Sequence, residues 1–227
     1  MALLIALEGI DGSGKGTQSA RLVEHLRQLG QKVELLSFPR YEHTRFGAAI
    51  GEFLNGKFGQ LDEVHPQLAS LLFAGDRFES KDVILDAAER NDVVVFDRYV
   101  ASNIAHQAAK LAEPERSLLM QWIDSIEHEV YGLPRPDLTI LLDLPATAAQ
   151  LLIAEKAARS YTDRAADLQE ADGSYLERVR QVYRSLAASN DHWQVVDCLI
   201  GDEVRSIEDI ANQLQSIVKD TLASTRS

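Results

Sequence analysis

The segment that most restricts the folds open to this chain is residues 9–17, which read GIDGSGKGT. It follows an apolar run at 3–7 and precedes a run at 15–29 whose apolar residues recur at helical spacing. Glycines let backbone N–H groups turn inward around phosphate oxygens, and the start of a helix adds the positive end of its dipole. A strand, such a loop and a helix in this order predict a phosphate-binding P-loop; the alternative is a glycine-rich turn whose lysine binds nothing.

Roles within the loop follow from the chemistry of phosphate binding. Lys15 is a mobile positive charge that reaches the β- and γ-phosphates of a nucleotide. The usual motif has Ser or Thr directly after the lysine as an Mg²⁺ ligand, but Gly16 stands there, so we expect Mg²⁺ to be held through waters and Thr17 to contact a phosphate. The residues expected to hold the phosphates of ATP are Gly9, Asp11, Gly12, Ser13, Gly14, Lys15, Gly16 and Thr17.

Short apolar runs alternate with helical patterns along the rest of the chain. Several of these runs are rich in β-branched residues and turn signals bound them, which is typical of buried strands. They lie at 32–38, 92–97, 138–144 and 193–198, and the helical patterns lie at 67–90, 99–112, 115–130, 174–189 and 203–222. The alternation predicts an α/β fold in which a five-stranded parallel sheet has helices on both faces.

Residues 1–227 are expected to form one domain, since no repeat or low-complexity linker divides them. The segment at about 155–172 is polar, dense in charge and weakly periodic, so we expect a mobile excursion from the core there. The tail after residue 222 is expected to fray.

Charge and composition narrow the classes of function. The formal net charge is −12, and an acidic chain lacks the broad basic face that binds polymeric nucleic acid, although a local cluster of donors still suits a small anion. Cys198 is the single cysteine, which fits a reducing compartment. The apolar runs are too short for a membrane span and the first has no basic start, so we expect a cytoplasmic protein with no membrane partner.

Residues next to the predicted strand ends suit phosphoryl chemistry. Arg40 follows the second strand, where a guanidinium fork suits a phosphate between donor and acceptor; a surface arginine on a turn is the alternative. Asp97 ends the third strand, where a carboxylate lies near Mg²⁺ or its waters, and Arg98 beside it can clamp the transferred group. Asp97 can also cap the next helix, a role that does not exclude metal contact.

Phe73 and Arg77 lie four residues apart in a predicted helix and therefore share a face. A ring beside a guanidinium suits a base, because the ring can stack on the base and the guanidinium can bond its edge. The residues alone favour a plainer interpretation, in which Phe73 belongs to the core and continues the stripe of Leu68 and Leu72.

Taken together, these segments resemble the thymidylate kinase family over nearly the whole chain. The resemblance rests on EGIDGSGKGTQ at the start, FPRY at 38–41, LLFAGDRFE at 71–79, DRYVASN at 97–103, LPRPDLTILLDLP at 133–145 and DLQEADGSYLERVRQVY at 167–183. It implies a P-loop kinase fold with a short mobile lid, and transfer of the γ-phosphoryl group of ATP to dTMP, giving dTDP and ADP in dTTP synthesis. It also implies Mg²⁺ as cofactor and a homodimer, with the helical stretch 99–130 as the interface.

The resemblance further assigns residues to the acceptor nucleotide. It implies that Asp11 binds the 3′-hydroxyl, that Phe73 stacks on thymine and that Arg77 and Asn103 bond the base. His106 stands where several relatives carry a tyrosine near the 2′ position, so it either fills that space or loosens the rejection of ribose; a partly exposed helix histidine is the alternative. The residues assigned to the acceptor are Asp11, Phe38, Pro39, Arg40, Phe73, Arg77, Arg98, Asn103, His106 and Glu170.

The remaining assignments concern catalysis and the metal. Since the P-loop carries no arginine, the resemblance implies basic residues in the lid, for which Lys156, Arg159 and Arg164 are candidates. Glu170 resembles a family acid near the sugar and the metal. The expected catalytic residues are Lys15, Arg40, Arg98, Arg159 and Arg164, and the expected metal ligands are Asp97, directly or through water, and Asp11 as a second candidate.

Two other functions stay open at this point. A kinase for adenylate, cytidylate or a deoxynucleoside is the nearer one, since GKGT also occurs in adenylate kinases, although FPRY and LLFAGDR argue against it. A nucleotide-binding regulator without transfer activity would keep Lys15 and lose the acceptor site or the lid. Against that alternative, Arg40, Arg98 and the pair Arg159 and Arg164 are all present.

Overall fold

The structure is a computed structural model that describes residues 2–59, 63–159 and 173–225, with side chains described except at 155–159 and 225. The expected lid residues Arg164 and Glu170 therefore lie outside the described residues. Lys156 and Arg159 lie in the last turns of a helix, where only the backbone is described.

Five parallel strands form the central sheet, in the order β2-β3-β1-β4-β5. Their bounds are β1 Leu3–Glu8, β2 Val33–Ser37, β3 Val93–Asp97, β4 Leu138–Asp143 and β5 Trp193–Asp197. Strands β1 and β4 are buried along their whole length, as expected for strands covered on both faces. The predicted five-stranded parallel sheet is confirmed, and no strand differs from its predicted range by more than a residue at either end.

Helices cover both faces of the sheet, which confirms the predicted fold class. The helical elements are α1 Lys15–Gln28, α2 Arg45–Leu54, α3 Pro66–Glu79, α4 Lys81–Arg90, α5 Val100–Ala108, α6 Glu115–Asp124, a π-helical segment Ser125–Val130, α7 Ala146–Arg159, α8 Gly173–Ala188 and α9 Ile207–Thr225. Side chains alternate along β1. Leu3, Ile5 and Leu7 share a buried cluster with side chains of α1, α8 and α9, whereas Leu4 and Ala6 share one with side chains of α4, α5 and α6.

Two predicted helices are interrupted. The stretch predicted as one helix at 67–90 is divided into α3 and α4 at Ser80, whose hydroxyl donates to the carbonyl oxygen of Asp76 at 2.8 Å. A serine hydroxyl that bonds the backbone one turn back bends a helix, which accounts for the break. The stretch predicted at 115–130 ends in the π-helical segment, where Tyr131 N donates to the carbonyl oxygen of Ile126 at 2.9 Å.

Helix α2 is absent from the sequence prediction because its glycines, Gly47 and Gly51, lower helix propensity. Contacts with the rest of the protein stabilise this helix despite its glycines. The hydroxyl of Thr44 caps the helix by accepting from Gly47 N at 2.8 Å, and Ile50 and Phe53 are fully buried. Helix α7 is likewise absent from the prediction, and it shows that the chain is helical up to residue 159, although a mobile excursion was expected from about 155.

The C-terminal helix begins later and ends later than predicted. A hairpin of β6 Leu199–Ile200 and β7 Glu203–Val204 precedes α9, so the helix begins at residue 207 rather than 203. The helix continues to residue 225, past the point at which fraying was expected. Cys198, next to the hairpin, is a buried free thiol, and burial raises its pKa to about 12. No helix in the described part of the chain has the length and apolar character to cross a membrane.

Candidate active site

The P-loop leaves β1 and runs into α1 with a backbone that only glycine adopts easily. Gly9, Gly12 and Gly14 have φ angles of 148°, 82° and 89°. A Cβ atom on Gly9 would lie 2.7 Å from the carbonyl oxygen of Leu142, so the neighbouring strand also excludes a side chain there. The hydroxyl of Ser13 is buried and has no hydrogen-bond partner among the described residues, which leaves it available to a ligand.

Lys15 is buried within the loop, where its Nζ donates to the carbonyl oxygen of Ile10 at 2.8 Å. Burial and the charge of Arg98 lower the pKa of Lys15 to about 8, while the carboxylates of Asp11 and Asp97 oppose the shift. An anion bound in the loop would add negative charge beside the ammonium group and stabilise its charged form. These surroundings suit a lysine that binds phosphate.

Asp97 ends β3 beside the start of α1. A Cβ atom on Gly16 would lie 3.3 Å from Asp97 Oδ2, a closer approach than most side chains make, which gives a physical reason for glycine after the lysine. The N-cap residue of α5 is Tyr99, so the alternative in which Asp97 caps that helix is wrong. The short distance to Gly16 shows that the carboxylate faces α1, the helix that follows the P-loop.

A cavity of about 500 Å³, part of it open to solvent, lies beside the P-loop. Its lining residues are Asp11, Phe38, Pro39, Tyr41, Leu54, Phe73, Arg77, Arg98, Ser102, Asn103, His106 and Gln107. Of the described residues assigned above to the acceptor nucleotide, all except Arg40 are among them. Phe73 is half-buried there and belongs to neither apolar core cluster, so its interpretation as a core residue is wrong.

Arg98 connects the P-loop to this cavity. Among the described non-glycine residues it alone has a positive φ, 66°, a conformation that is costly for a side chain with a Cβ atom and that concentrates at functional sites. Its guanidinium forms an ion pair with Asp11 and donates from Nη1 to Ser102 Oγ at 3.1 Å. Burial disfavours both charges, yet mutual attraction, helped at Asp11 by Lys15, raises the pKa of Arg98 and holds the pKa of Asp11 well below its usual range.

His106 is buried, so the alternative of a partly exposed helix histidine is wrong. Its Nε2 lies 3.4 Å from Arg98 Nη1 and must accept, because a guanidinium only donates. On the other side, Tyr175 Oη donates to the carbonyl oxygen of His106 at 2.9 Å and lies 3.2 Å from Nδ1, which therefore carries the proton. Burial, together with Arg98 and Lys15, lowers the pKa of His106 to about 3, so the imidazole is neutral near pH 7.

Glu8 is a residue of this site that the sequence pattern does not single out. It is fully buried at the end of β1 and accepts from Tyr99 N at 2.8 Å, Ser102 Oγ at 2.6 Å and Tyr183 Oη at 3.0 Å. These bonds hold the backbone that follows Arg98. The available signal is a charged residue that ends an otherwise apolar run directly before the first P-loop glycine.

Arg77 and Asn103 meet around the buried carboxylate of Glu127. Arg77 donates through Nε and Nη2, the latter to Oε1 at 2.6 Å, and Asn103 Nδ2 donates to the same oxygen at 2.8 Å. Gln107, one turn beyond Asn103, is also buried; Lys110 donates to its Oε1 at 3.0 Å, and its Nε2 has no partner among the described residues. The spacing of four from Asn103 is a signal for Gln107, whereas nothing local in the sequence marks Glu127.

Arg40 does not line the cavity, contrary to expectation. Its backbone N donates to Asp76 Oδ2 at 2.9 Å, and its Nη1 donates to Ser80 Oγ at 3.2 Å. Asp76 is fully buried and also accepts from the hydroxyl of Thr44, so it holds the turn after β2 against α3. The guanidinium is thus engaged at the junction of α3 and α4 rather than at the P-loop.

Comparison with known proteins places the chain in a family. Residues 7–209 match the family model described as Thymidylate kinase. The thymidylate kinase of Mycobacterium tuberculosis (strain ATCC 25618 / H37Rv) is 38% identical over 198 residues, which cover 86% of this chain and 91% of the relative. The probable thymidylate kinase of Pyrococcus abyssi is 34% identical over 220 residues, covering 96% of each chain. The solved structure of thymidylate kinase from Candida albicans has a TM-score of 0.72 at 27% identity, covering 97% of this chain and 92% of that one. The chain belongs to the thymidylate kinase family.

Proposed function

We propose that the protein is a dTMP kinase, which transfers the γ-phosphoryl group of ATP to dTMP and forms dTDP and ADP. The observation that carries the proposal is one cavity lined both by Asp11 of the P-loop and by Phe73 and Arg77 of α3. A phosphate cradle and a partly apolar space for a base are thereby adjacent, and Arg98 lies at their junction. This arrangement suits a nucleotide whose own phosphate approaches the γ-phosphate of ATP.

The transfer needs little covalent chemistry from the protein, because a phosphate oxygen of the acceptor is already a nucleophile. The tasks are positioning and neutralisation of charge. We assign Lys15 and Arg98 to the charge of the transferring group, and Arg40 to the acceptor phosphate, a role in which its guanidinium leaves Ser80. Asp11 stays ionised and is assigned to the 3′-hydroxyl of the sugar, which its carboxylate can accept from.

The base and the sugar are assigned to the rest of the cavity lining. Phe73 offers a half-buried ring for stacking, and Phe38 and Pro39 complete the apolar wall. Arg77 and Asn103 are assigned to the polar edge of thymine. Because His106 is held between Arg98 and Tyr175, we propose that it narrows the space beside the 2′ carbon.

Mg²⁺ is the cofactor that we propose. Within the described residues, no three His, Cys, Asp or Glu side chains form a complete metal site. Mg²⁺ is commonly held by one or two carboxylates, substrate phosphates and waters, so a single carboxylate near the phosphates fits it. Asp97 is the better ligand, directly or through water, because Asp11 is engaged by Arg98. When bound, the ion would neutralise charge on the β- and γ-phosphates.

We further propose that residues 1–227 form one kinase domain with a lid at about 155–172. In this proposal Arg159 and Arg164 reach the transferring group, Glu170 lies near the sugar and the metal, and closure excludes water. The position of α7, which leads into the proposed lid, supports the idea. A Cβ atom on Gly12 would lie 2.7 Å from the carbonyl oxygen of Ala149 in α7, so this helix packs directly against the P-loop.

A cytoplasmic homodimer is the assembly that we propose. Helix α5 is buried within its own chain, whereas α6 exposes 63% of Leu118 and the π-helical segment exposes 67% of Val130. We therefore assign the interface to α6 and this segment rather than to the whole stretch 99–130. Analytical ultracentrifugation of Leu118→Glu tests this interface, with loss of the dimer expected.

The proposed location is the cytoplasm, because the buried thiol of Cys198 suits a reducing compartment. The proposed partners are dTMP and ATP, with no polymeric nucleic acid or membrane.

The test of the function is ADP release with ATP, Mg²⁺ and dTMP, dUMP, dCMP, CMP, UMP, AMP or GMP in parallel. A clear preference for dTMP is expected. Preference for another acceptor would contradict the base assignment and leave the P-loop and Arg98 assignments standing. No ADP release with any acceptor, in protein that still binds ATP, would indicate a nucleotide-binding regulator instead.

A further inference from the structure

The carboxylate of Glu127 organises the polar part of the cavity without lining it. Glu127 is fully buried in the π-helical segment, and its two oxygens accept from Arg77 Nε, Arg77 Nη2 and Asn103 Nδ2. Arg77 is 2% exposed and Asn103 is 2% exposed, so the whole group is withdrawn from bulk water. A buried charge in such a group acts strongly on the orientation of its neighbours.

The side-chain amide of Asn103 can take only one of its two orientations here. Its Nδ2 donates to Glu127 Oε1 at 2.8 Å and to the carbonyl oxygen of Ser70 at 3.0 Å, and both partners are acceptors with no proton to give. Rotation of the amide by half a turn would place Oδ1 against those two oxygens. Asn103 Oδ1 is therefore the acceptor that remains unbonded, and it is buried with no hydrogen-bond partner among the described residues.

Arg77 has a matching arrangement. Its Nε and Nη2 are used on Glu127, which leaves Nη1 as the donor available to a ligand in the cavity. The cavity thus offers one donor from Arg77 and one acceptor from Asn103, and both are oriented by the same carboxylate. The complementary ligand edge carries an acceptor beside a donor.

We infer that Glu127 is a positioning residue that makes the site selective for bases with a carbonyl at position 4 and an N–H at position 3. Thymine and uracil have this edge, whereas cytosine has the reverse, an amino group at position 4 and an unprotonated N3. With cytosine, N3 would face Asn103 Oδ1 and the amino group would face Arg77, so two buried polar contacts would be repulsive. A site built on hydrogen bonds rejects such analogues strongly. This inference rests on the proposed function, since it concerns the base of the proposed acceptor.

The substitution Glu127→Gln has a specific expected consequence. Whichever way the new amide lies, its nitrogen faces a donor that now bonds the carboxylate, either Arg77 Nε or the pair Arg77 Nη2 and Asn103 Nδ2. Arg77 and Asn103 therefore lose part of the arrangement that fixes their orientation. The cavity would no longer hold a donor and an acceptor at set positions, which weakens the preference for thymine over 5-methylcytosine.

The experiment compares dTMP with 5-methyl-dCMP, because these nucleotides differ only at ring positions 3 and 4. Values of kcat and KM are measured for the wild type, Glu127→Gln and Glu127→Asp, and affinities are measured by calorimetry, which needs no turnover. We expect the ratio of kcat/KM for dTMP over 5-methyl-dCMP to fall about tenfold or more in Glu127→Gln, mainly through KM. Glu127→Asp keeps the charge on a shorter side chain, so its ratio should lie between those of the wild type and Glu127→Gln. It also provides the test if Glu127→Gln does not fold.

Asp143→Asn is the matched control. Asp143, the last residue of β4, is likewise a buried carboxylate, and Arg180 Nε donates to it at 2.5 Å. It does not line the cavity or touch a residue that does. Its ratio of kcat/KM values should equal that of the wild type. An unchanged ratio in both Glu127 variants, or an equal fall in Asp143→Asn, would overturn the inference. If the wild type prefers an acceptor without a pyrimidine base, the proposed function itself is overturned. If the wild type prefers dTMP and the Glu127 variants keep the same ratio of kcat/KM values, only the role of Glu127 is overturned.

Discussion

The guanidinium of Arg98 and the carboxylate of Asp11 form an ion pair that ties the end of β3 to the P-loop. The side chains are 16% and 22% exposed, so the pair is largely shielded from water. Arg98 reaches it from a backbone with a φ of 66°, which the bonds of Glu8 to the following residues help to hold. An arginine held in a costly conformation at the junction of two subsites is a good candidate for a catalytic group.

Arg98→Met should therefore lower kcat by roughly 10³-fold or more, because the transferring group loses a positive charge that is most needed in the transition state. Arg98→Lys should recover only part of the rate, since an ammonium group lacks the fork that bonds Asp11 and a phosphate together. Steady-state kinetics at saturating ATP and dTMP measures both. Arg90→Met, which removes an arginine that is 77% exposed on α4, is the control and should leave kcat unchanged.

Lys15 should make ATP binding sensitive to alkaline pH. Its pKa is lowered to about 8, chiefly by burial and then by Arg98, so the protein must take up a proton to bind phosphate above that pH. We expect the Kd for ATP to rise about tenfold per pH unit above pH 8. Calorimetry at pH 7.5, 8.5 and 9.5 in two buffers of different ionisation enthalpy measures both the Kd and the proton uptake. A Kd that stays flat over this range would contradict the role of Lys15, and Lys32→Met, at an exposed lysine, should keep the wild-type slope.

His106 should lower the stability of the protein in mild acid. Its ordinary pKa is 6.5 and burial lowers it to about 3 in the folded state, so between these values the unfolded chain binds the proton and the folded chain does not. Stability therefore rises with pH in this window and is lost as pH falls through 6.5. At pH 5.5 the expected loss is about 1 kcal/mol relative to pH 7.5.

Urea unfolding at both pH values measures this effect, with His106→Asn as the comparison. Asparagine keeps polar atoms near Arg98 and does not titrate, so its loss of stability on acidification should be smaller by about the same amount. An equal loss in the two proteins would mean that other groups, such as His128, whose pKa is also lowered by burial, account for the acid sensitivity.

Glu8→Gln should affect stability and turnover together. The substitution removes the charge on which four donors converge. The new amide nitrogen would stand either against the backbone N–H groups of Tyr99 and Ser102 or against the two hydroxyls that now donate to Oε2. We expect the free energy of unfolding to fall by about 2 kcal/mol. A shift of the Arg98 backbone should also lower kcat by roughly tenfold or more. Urea unfolding and kinetics measure the two effects, and Glu24→Gln, at an exposed position of α1, should change neither.

Much of the architecture is local enough to be predicted from the sequence. Buried strands need continuous apolar runs, and a P-loop needs glycines where φ is positive, so both leave marks that can be found without a structure. Two helices were not predicted. Helix α2 carries two glycines and is stabilised by Thr44, Ile50 and Phe53 instead, whereas α7 is rich in alanine, a composition that favours a helix. Ser80, which divides α3 from α4, bonds the backbone in a way that its identity alone does not reveal.

From the sequence alone, the parallel sheet and the P-loop could be identified from local patterns, and most of the residues around the cavity from the resemblance to the thymidylate kinase family. The tertiary structure decided which groups act together. Glu8 meets Tyr183 across 175 positions of the chain, and Glu127 meets Arg77 across 50. It also decided that Arg40 bonds Ser80 and that His106 is buried and neutral. The physical reason is that hydrogen-bond partners and charge states depend on burial and on distances between remote segments, which no local pattern encodes.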